Sequence, residues 1–327
     1  MFGNLLILAL VLLMAGGILA TVTAYLMAWA LLHPPRMTDG RAAWRLKRLS
    51  PGDLRLEFYD LAYTVRDEAT GKPLKLAAWW IPYPHADGRT VILLHGYGDA
   101  KVGAIAWAPT FHSLRYNILA LDLRAHGQSE GRHSTAGFYE RHDVNQVIDE
   151  LKNDLPEQTR ELVLFGISLG AAVAAAVAVT RNDLHAVILE CPYPDYALAA
   201  QAHTMVLGGP GGWLQRWSFH WAQHIAHADF SAVRPQDLIP RIPAPLMVIR
   251  SEADVFIDEA HAGLVALAVA QRPRELLTVY WNAQNAHHVA ALEQDPRAYR
   301  QRIETFLNEA EQRMRPAAAN PRFPKSP

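Results

Sequence analysis

The chain of 327 residues has one cysteine, Cys191. That excludes an internal disulfide framework and a cysteine-based zinc cluster. Cys191 closes an apolar run at 186–190 and reads as a buried structural thiol, in keeping with a reducing compartment. Excess charge of either sign is also missing, with 31 Lys and Arg against 32 Asp and Glu. No basic surface is implied, so nucleic acid is excluded as a partner. Internal repeats are absent, and no HExxH zinc motif occurs.

What the chain does have begins at its amino end. Residues 5–32 carry no charge, with only Thr21, Thr23 and the pair Gly16-Gly17 as breaks in strongly apolar character. At ~1.5 Å per residue, a helix of this length crosses a hydrocarbon core of ~30 Å. A cleaved signal peptide would need a basic start and a shorter apolar core. Neither Lys nor Arg precedes the run, so an uncleaved anchor within residues 1–35 is expected. Arg36, Arg41, Arg45, Lys47 and Arg48 follow, against the single acid Asp39. The positive-inside rule then places the remainder on the cytoplasmic side of the cell's inner membrane, as a single-pass protein.

Residues 36–53 read as a linker. Alternation over 54–65 predicts a strand, the turn at 70–73 a reversal, and 74–81 a second strand, together a hairpin at a sheet edge. From residue 90 the pattern changes to short apolar runs at 91–94, 118–121, 162–165, 186–190 and 246–250, the last two closed by the charged Glu190 and Arg250. Such runs mark strands buried on both faces, and helical stretches alternate with them. The expected class is therefore α/β, a mostly parallel sheet with helices on both faces. Residues 192–242 break the rhythm with two helices, 195–207 and 213–228, and read as a cap inserted in a domain spanning 54–315. A strand at 276–280 and a helix at 296–313 close that domain. The Pro- and Ala-rich residues 316–327 read as a disordered tail.

The chemistry centres on Gly166-Ile167-Ser168-Leu169-Gly170, a G-x-S-x-G sequence between an apolar strand and an Ala-rich helix. A serine on so tight a turn is exposed above the sheet, and glycines two before and two after let strand and helix crowd together. Serine is a weak nucleophile that needs a base, and the base needs an orienting carboxylate. For an elbow serine the order is Ser, acid, His, each past a strand's carboxyl end. Asp254 is the candidate acid, with Glu252 its rival, and His287 or His288 is the base.

These residues resemble the α/β-hydrolase superfamily, in particular bacterial serine hydrolases with an amino-terminal membrane segment. The resemblance covers 34–307. It implies His288 as the base, because Val289, Asp295-Pro296 and Tyr299 then match the family pattern. His287 occupies a position usually held by a small residue, a departure from that pattern. The family's His-Gly-x-Gly loop is matched by His95-Gly96-Tyr97-Gly98, implying an oxyanion hole built from the backbone N–H groups of Tyr97 and Leu169. His95 would shape that loop rather than carry protons.

Gly127-Gln128-Ser129-Glu130-Gly131 also fits G-x-S-x-G, but no apolar helix follows Ser129. It is similar to a structural loop of the same superfamily, with Ala125 where a glycine is usual. His220, His224 and His227 share a helix face and read as surface histidines rather than metal ligands. Trp213, Trp217 and Trp221, also spaced by four, read as a packing face of the cap, with an apolar substrate or lipid lining as the alternative. The expectation is a serine hydrolase cleaving a small-molecule or lipid-derived ester, without cofactor or metal. A binding protein on the same fold, or a thioesterase or peptidase, is the alternative.

Overall fold

The computed structural model describes residues 2–85, 87–206 and 212–314. The expected tail at 316–327 lies outside these, as does most of the glycine-rich stretch between the two expected cap helices. Eight strands form one sheet: β1 (Tyr59–Arg66), β2 (Pro73–Ile81), β3 (Arg89–Leu94), β4 (Asn117–Leu121), β5 (Glu161–Ile167), β6 (Ala186–Glu190), β7 (Leu246–Ser251) and β8 (Thr278–Ala283). Their order is β1-β2-β4-β3-β5-β6-β7-β8. The hairpin β1–β2 joins antiparallel to β4, and every pair from β4 to β8 is parallel. Two helices precede the sheet, two follow it and the others lie between strands: α1 (Phe2–Leu32), α2 (Asp39–Leu46), α3 (Lys101–Ala104), α4 (Ala108–Ser113), α5 (Glu140–Asp154), α6 (Leu169–Ala178), α7 (Tyr196–Val206), α8 (Trp213–Ala226), α9 (Pro235–Leu238), α10 (Glu259–Ala270), α11 (Ala291–Gln294) and α12 (Pro296–Met314).

β3, β4, β5 and β6 are buried almost throughout because both sheet faces are covered. Ile92, Leu94, Leu119 and Leu164 face one core with α5, α6 and α10. Val91, Leu93, Ile118 and Phe165 face the other with Phe111 of α4 and Tyr299, Ile303 and Phe306 of α12. The period of two along each strand thus feeds two cores.

Three expectations shift. Residues 36–53 hold a helix of their own, α2, started by the Thr38 side chain accepting from the Arg41 N–H. The first strand begins at Tyr59 rather than 54, because Pro51–Leu54 forms a 3-10 turn capped by Ser50 and Asp53. The last strand runs over Thr278–Ala283 rather than 276–280.

α1 is long and apolar enough to cross a membrane. Most of it is exposed, but Ala24, Ala28 and Leu32 are buried. This spacing of four places them on one face, which packs along α8. Tyr25 meets Trp221 edge-on at 6.4 Å. The last carbonyls of any helix lack partners within it. Here the rest of the protein supplies them: the Tyr97 hydroxyl donates to Ala30 at 2.6 Å, the Ser134 N–H to Leu32 at 2.9 Å, and the Tyr196 hydroxyl approaches Leu31 at 3.4 Å. Just beyond, Arg36 donates to the carbonyls of Gly127, Ser129 and Gly131.

Candidate active site

Ser168 stands between β5 and α6 with φ 52° and ψ −109°. Positive φ strains a residue that carries a Cβ. The strain is enforced from both sides. A Cβ at Gly166 would lie 2.2 Å from the Gly170 carbonyl oxygen, and one at Gly170 would lie 2.2 Å from that of Leu94. Only glycine lets α6 close this far onto β5 and β3. Ser168 is held further by its own N–H, which donates to the Glu190 carbonyl at 2.9 Å.

The loops after β7 and β8 deliver the partners. The His288 Nε2 lies 3.3 Å from Ser168 Oγ, and its Nδ1 lies 2.6 Å from Asp254 Oδ2. The other Asp254 oxygen accepts from the backbone N–H groups of Phe256 and Ile257 at 2.8 and 3.0 Å. Three donors thus fix a carboxylate that is almost fully buried. Glu252, the rival acid, is exposed and accepts from the Asn285 N–H instead. His287 is exposed and points its Nδ1 at the Ala253 carbonyl, 3.3 Å away. Val289, directly after His288, has φ 59°, a severe outlier for a β-branched residue. Its N–H reaches Cys191 Sγ at 3.4 Å, and Cys191 itself has φ 48°. Backbone strain therefore gathers at Ser168, Cys191 and Val289, all on loops at the carboxyl ends of strands.

The His95-Gly96-Tyr97-Gly98 loop follows β3 and lies alongside. Gly96 approaches Ser168 so closely that a Cβ there would sit 3.6 Å from that of Ser168. His95 is fully buried, with Nδ1 at 2.8 Å from the Gly96 carbonyl and Nε2 accepting from the Leu123 N–H at 3.0 Å. Burial, with His126 beside it, pushes its pKa down to about 3. The ring stays neutral, and both nitrogens tie backbone to backbone. Leu169 is the first residue of α6, so its N–H has no acceptor inside the helix.

The second G-x-S-x-G takes no part. Ser129 is buried, donates to the Asp122 carbonyl at 2.6 Å and accepts from the Ala77 N–H at 2.9 Å. Ala125, where a glycine is usual, takes the left-handed conformation with φ 61°. His220, His224 and His227 are exposed, and His227 ends α8 with φ 50°. They form no ligand group among the described residues. Cys191, Asp254 and His288 do place possible ligand atoms within 4.8 Å of one another. Burial pushes the Cys191 thiol up to about 12, so it stays protonated and is a poor ligand.

Several residues around the site carry no sequence signal. Glu190 is fully buried, with one oxygen accepting from Tyr299 at 2.6 Å and Trp107 at 2.9 Å. Burial pushes its carboxyl up to about 7. The hint available in sequence is a charged residue ending an otherwise apolar strand. Phe256 meets the His288 ring edge-on at 5.4 Å, and His203 of α7 stacks on Phe256 at 4.1 Å. Nothing in the local sequence announces the Tyr97 bond to α1.

A family model described as serine aminopeptidase, S33, matches residues 86–307. Among curated proteins, the uncharacterized YqkD of Bacillus subtilis is 28% identical over 242 residues, covering 69% of this chain and 73% of that protein. The α/β hydrolase domain-containing protein WAV2 of Arabidopsis thaliana is 28% identical over 273 residues, covering 79% and 82%. Among solved structures, the esterase Pf2001 of Pyrococcus furiosus superposes with a TM-score of 0.66 at 25% identity, covering 85% of this chain and 97% of that one. The eight-stranded sheet, the turn at Ser168 and a match over residues 86–307 agree: the chain belongs to the serine aminopeptidase S33 family of α/β-hydrolases.

Proposed function

We propose that this hydrolase cleaves carboxylic esters through Ser168, His288 and Asp254, by way of an acyl-enzyme. The observation that carries the reading is the continuous line from Ser168 Oγ through His288 to Asp254, at 3.3 and 2.6 Å. His288 takes the Ser168 proton as Oγ attacks the carbonyl carbon. Asp254 holds the Nδ1–H tautomer and stabilises the imidazolium. The N–H groups of Leu169 and Tyr97 receive the oxyanion. His288 then returns the proton to the leaving alcohol, and water, deprotonated by His288, releases the acid and restores Ser168.

The family description also covers aminopeptidases. Such an enzyme needs a carboxylate free to hold the substrate's ammonium group. Two acids close to Ser168 are committed elsewhere, Asp254 to His288 and Glu190 to Trp107 and Tyr299. Aromatic groups, Tyr97 and Phe256, stand beside the loop and the base instead. This favours a neutral acyl group.

Full-length protein in detergent should label with a fluorophosphonate and hydrolyse p-nitrophenyl esters. Ser168→Ala should abolish both. His288→Ala or Asp254→Asn should lower kcat by about 10⁴-fold, and His287→Ala should change it less than about threefold. Labelling that survives Ser168→Ala would overturn the nucleophile, and a folded protein that neither labels nor turns over an ester would favour a binding role. Rapid cleavage of aminoacyl anilides with slow ester turnover would favour the peptidase.

The reading includes α1 as a retained anchor. Supporting it are the Tyr97, Ser134 and Tyr196 groups that cap the helix end, all of which would lose their acceptors if α1 were removed. The basic residues after α1 support a hydrolase on the cytoplasmic side of the inner membrane, and on this reading a periplasm-dependent phosphatase fused to the carboxyl end should be inactive.

A further inference from the structure

α1 has 31 residues and is about 46 Å long at 1.5 Å per residue. A bilayer's hydrocarbon core takes about 30 Å, or about 20 residues. Counted from Phe2, the core is crossed by about residue 22. The first residue of α1 buried against the protein is Ala24. The 22 residues of α1 before Ala24 thus suffice to span the hydrocarbon, and the rest of the helix docks on the protein.

From Ala24 to Ala30 is six residues, about 9 Å along the helix. The Ala30 carbonyl accepts from the Tyr97 hydroxyl, and Tyr97 follows Gly96, which lies alongside Ser168. One tyrosine side chain therefore separates the end of the anchor from the loop beside the nucleophile. A flexible tether would let the domain sit at any height. This connection fixes Ser168 close to the bilayer surface.

A second observation concerns the rings at that level. Tyr25 and Trp29 of α1 are about half exposed, and Trp213 of α8 is 59% exposed. Trp213 packs on Trp217, and Trp221 on Tyr25. The stripe expected to pack within the cap runs instead from the α1 contact out to solvent. Exposed amphipathic rings near the end of an apolar helix are the pattern of a membrane–water interface. Met205 and Val206, at the end of α7, are exposed as well, and His203 on the same helix stacks on Phe256 beside His288. Apolar surface thus extends from near the base toward the bilayer side.

We infer that α1 is a working part of the site, holding Ser168 at the bilayer surface so that the substrate is an ester whose long acyl chain stays in the membrane while its carbonyl reaches the serine. This rests on the serine-hydrolase reading and names its substrate class. The chain enters beside α1, between the anchor and the apolar ends of α7 and α8, rather than from bulk water.

The test uses the full chain in phosphatidylcholine vesicles and a hexadecyl fluorophosphonate bearing a diazirine at the chain end. Ser168 Oγ bonds to phosphorus, fluoride leaves, and the hydroxyl proton passes to His288. Irradiation then marks whatever surrounds the chain end. The expected result is a Ser168 peptide heavier by the probe and one phosphatidylcholine molecule. Adducts to protein side chains only would place the chain inside the domain and overturn the inference while leaving the serine hydrolase intact. No labelling of Ser168 at all would sink the hydrolase reading and this inference with it.

Discussion

The hydroxyl of Tyr97 donates to Ala30 at 2.6 Å, while its backbone N–H is the proposed partner of the oxyanion. Burial pushes the phenol well above its ordinary pKa, so it remains a donor at any working pH. Tyr97→Phe removes one neutral hydrogen bond, a net loss of about 1 kcal/mol. If the bond positions the loop, kcat should fall about fivefold with KM unchanged, as expected for an interaction made only in the transition state. A purely structural role would lower thermal stability and leave kcat alone. At this scale the sequence was informative about residue types and silent about distance. Ser168 and Asp254 could be picked out because each follows an apolar strand. Two adjacent histidines could not be separated by composition, since a one-residue step past β8 reverses which ring faces the serine. The Tyr97–Ala30 bond joins positions 67 residues apart, and no local pattern encodes it.

Among the elements, the contact of α6 with β3 leaves no room for an added atom. A methyl at Gly170 would stand 2.2 Å from the Leu94 carbonyl oxygen and 2.7 Å from that of His95, both main-chain atoms that cannot swing aside. Gly170→Ala should destabilise by more than about 4 kcal/mol, in the class of severe overpacking, and a lower unfolding midpoint in denaturant would register it. The parallel strands were legible because burial on both faces demands uninterrupted apolar runs. The start of β1 was not. Leu54, Leu56 and Phe58 alternate like a strand, yet they pack on the core from a turn and a short coil. α2 was hidden for a different reason: it is only eight residues long, too short for its pattern to outweigh a linker reading.

For the whole molecule, Glu190 ties stability to pH. Its carboxyl, ordinarily near 4.5, is held up to about 7 by burial beneath the site. Between those values the folded protein keeps a proton that the unfolded chain releases. Stability from this group is complete below about pH 4.5 and is lost as pH rises through 7, a swing of up to about 3 kcal/mol. Glu190→Gln should flatten that window, so the difference in unfolding midpoint between wild type and variant should shift in the variant's favour from pH 5 to pH 8. The seating of α1 has its own consequence, which concerns the order of assembly. α1 leaves the ribosome well before its partners, since Tyr196, which approaches Leu31, is made 165 residues later. The face of Ala24, Ala28 and Leu32 must therefore wait, uncovered, until the cap has been synthesised. Closure of that contact is a late folding event, and under the proposed anchoring the membrane that receives α1 becomes the surface on which the hydrolase is finished.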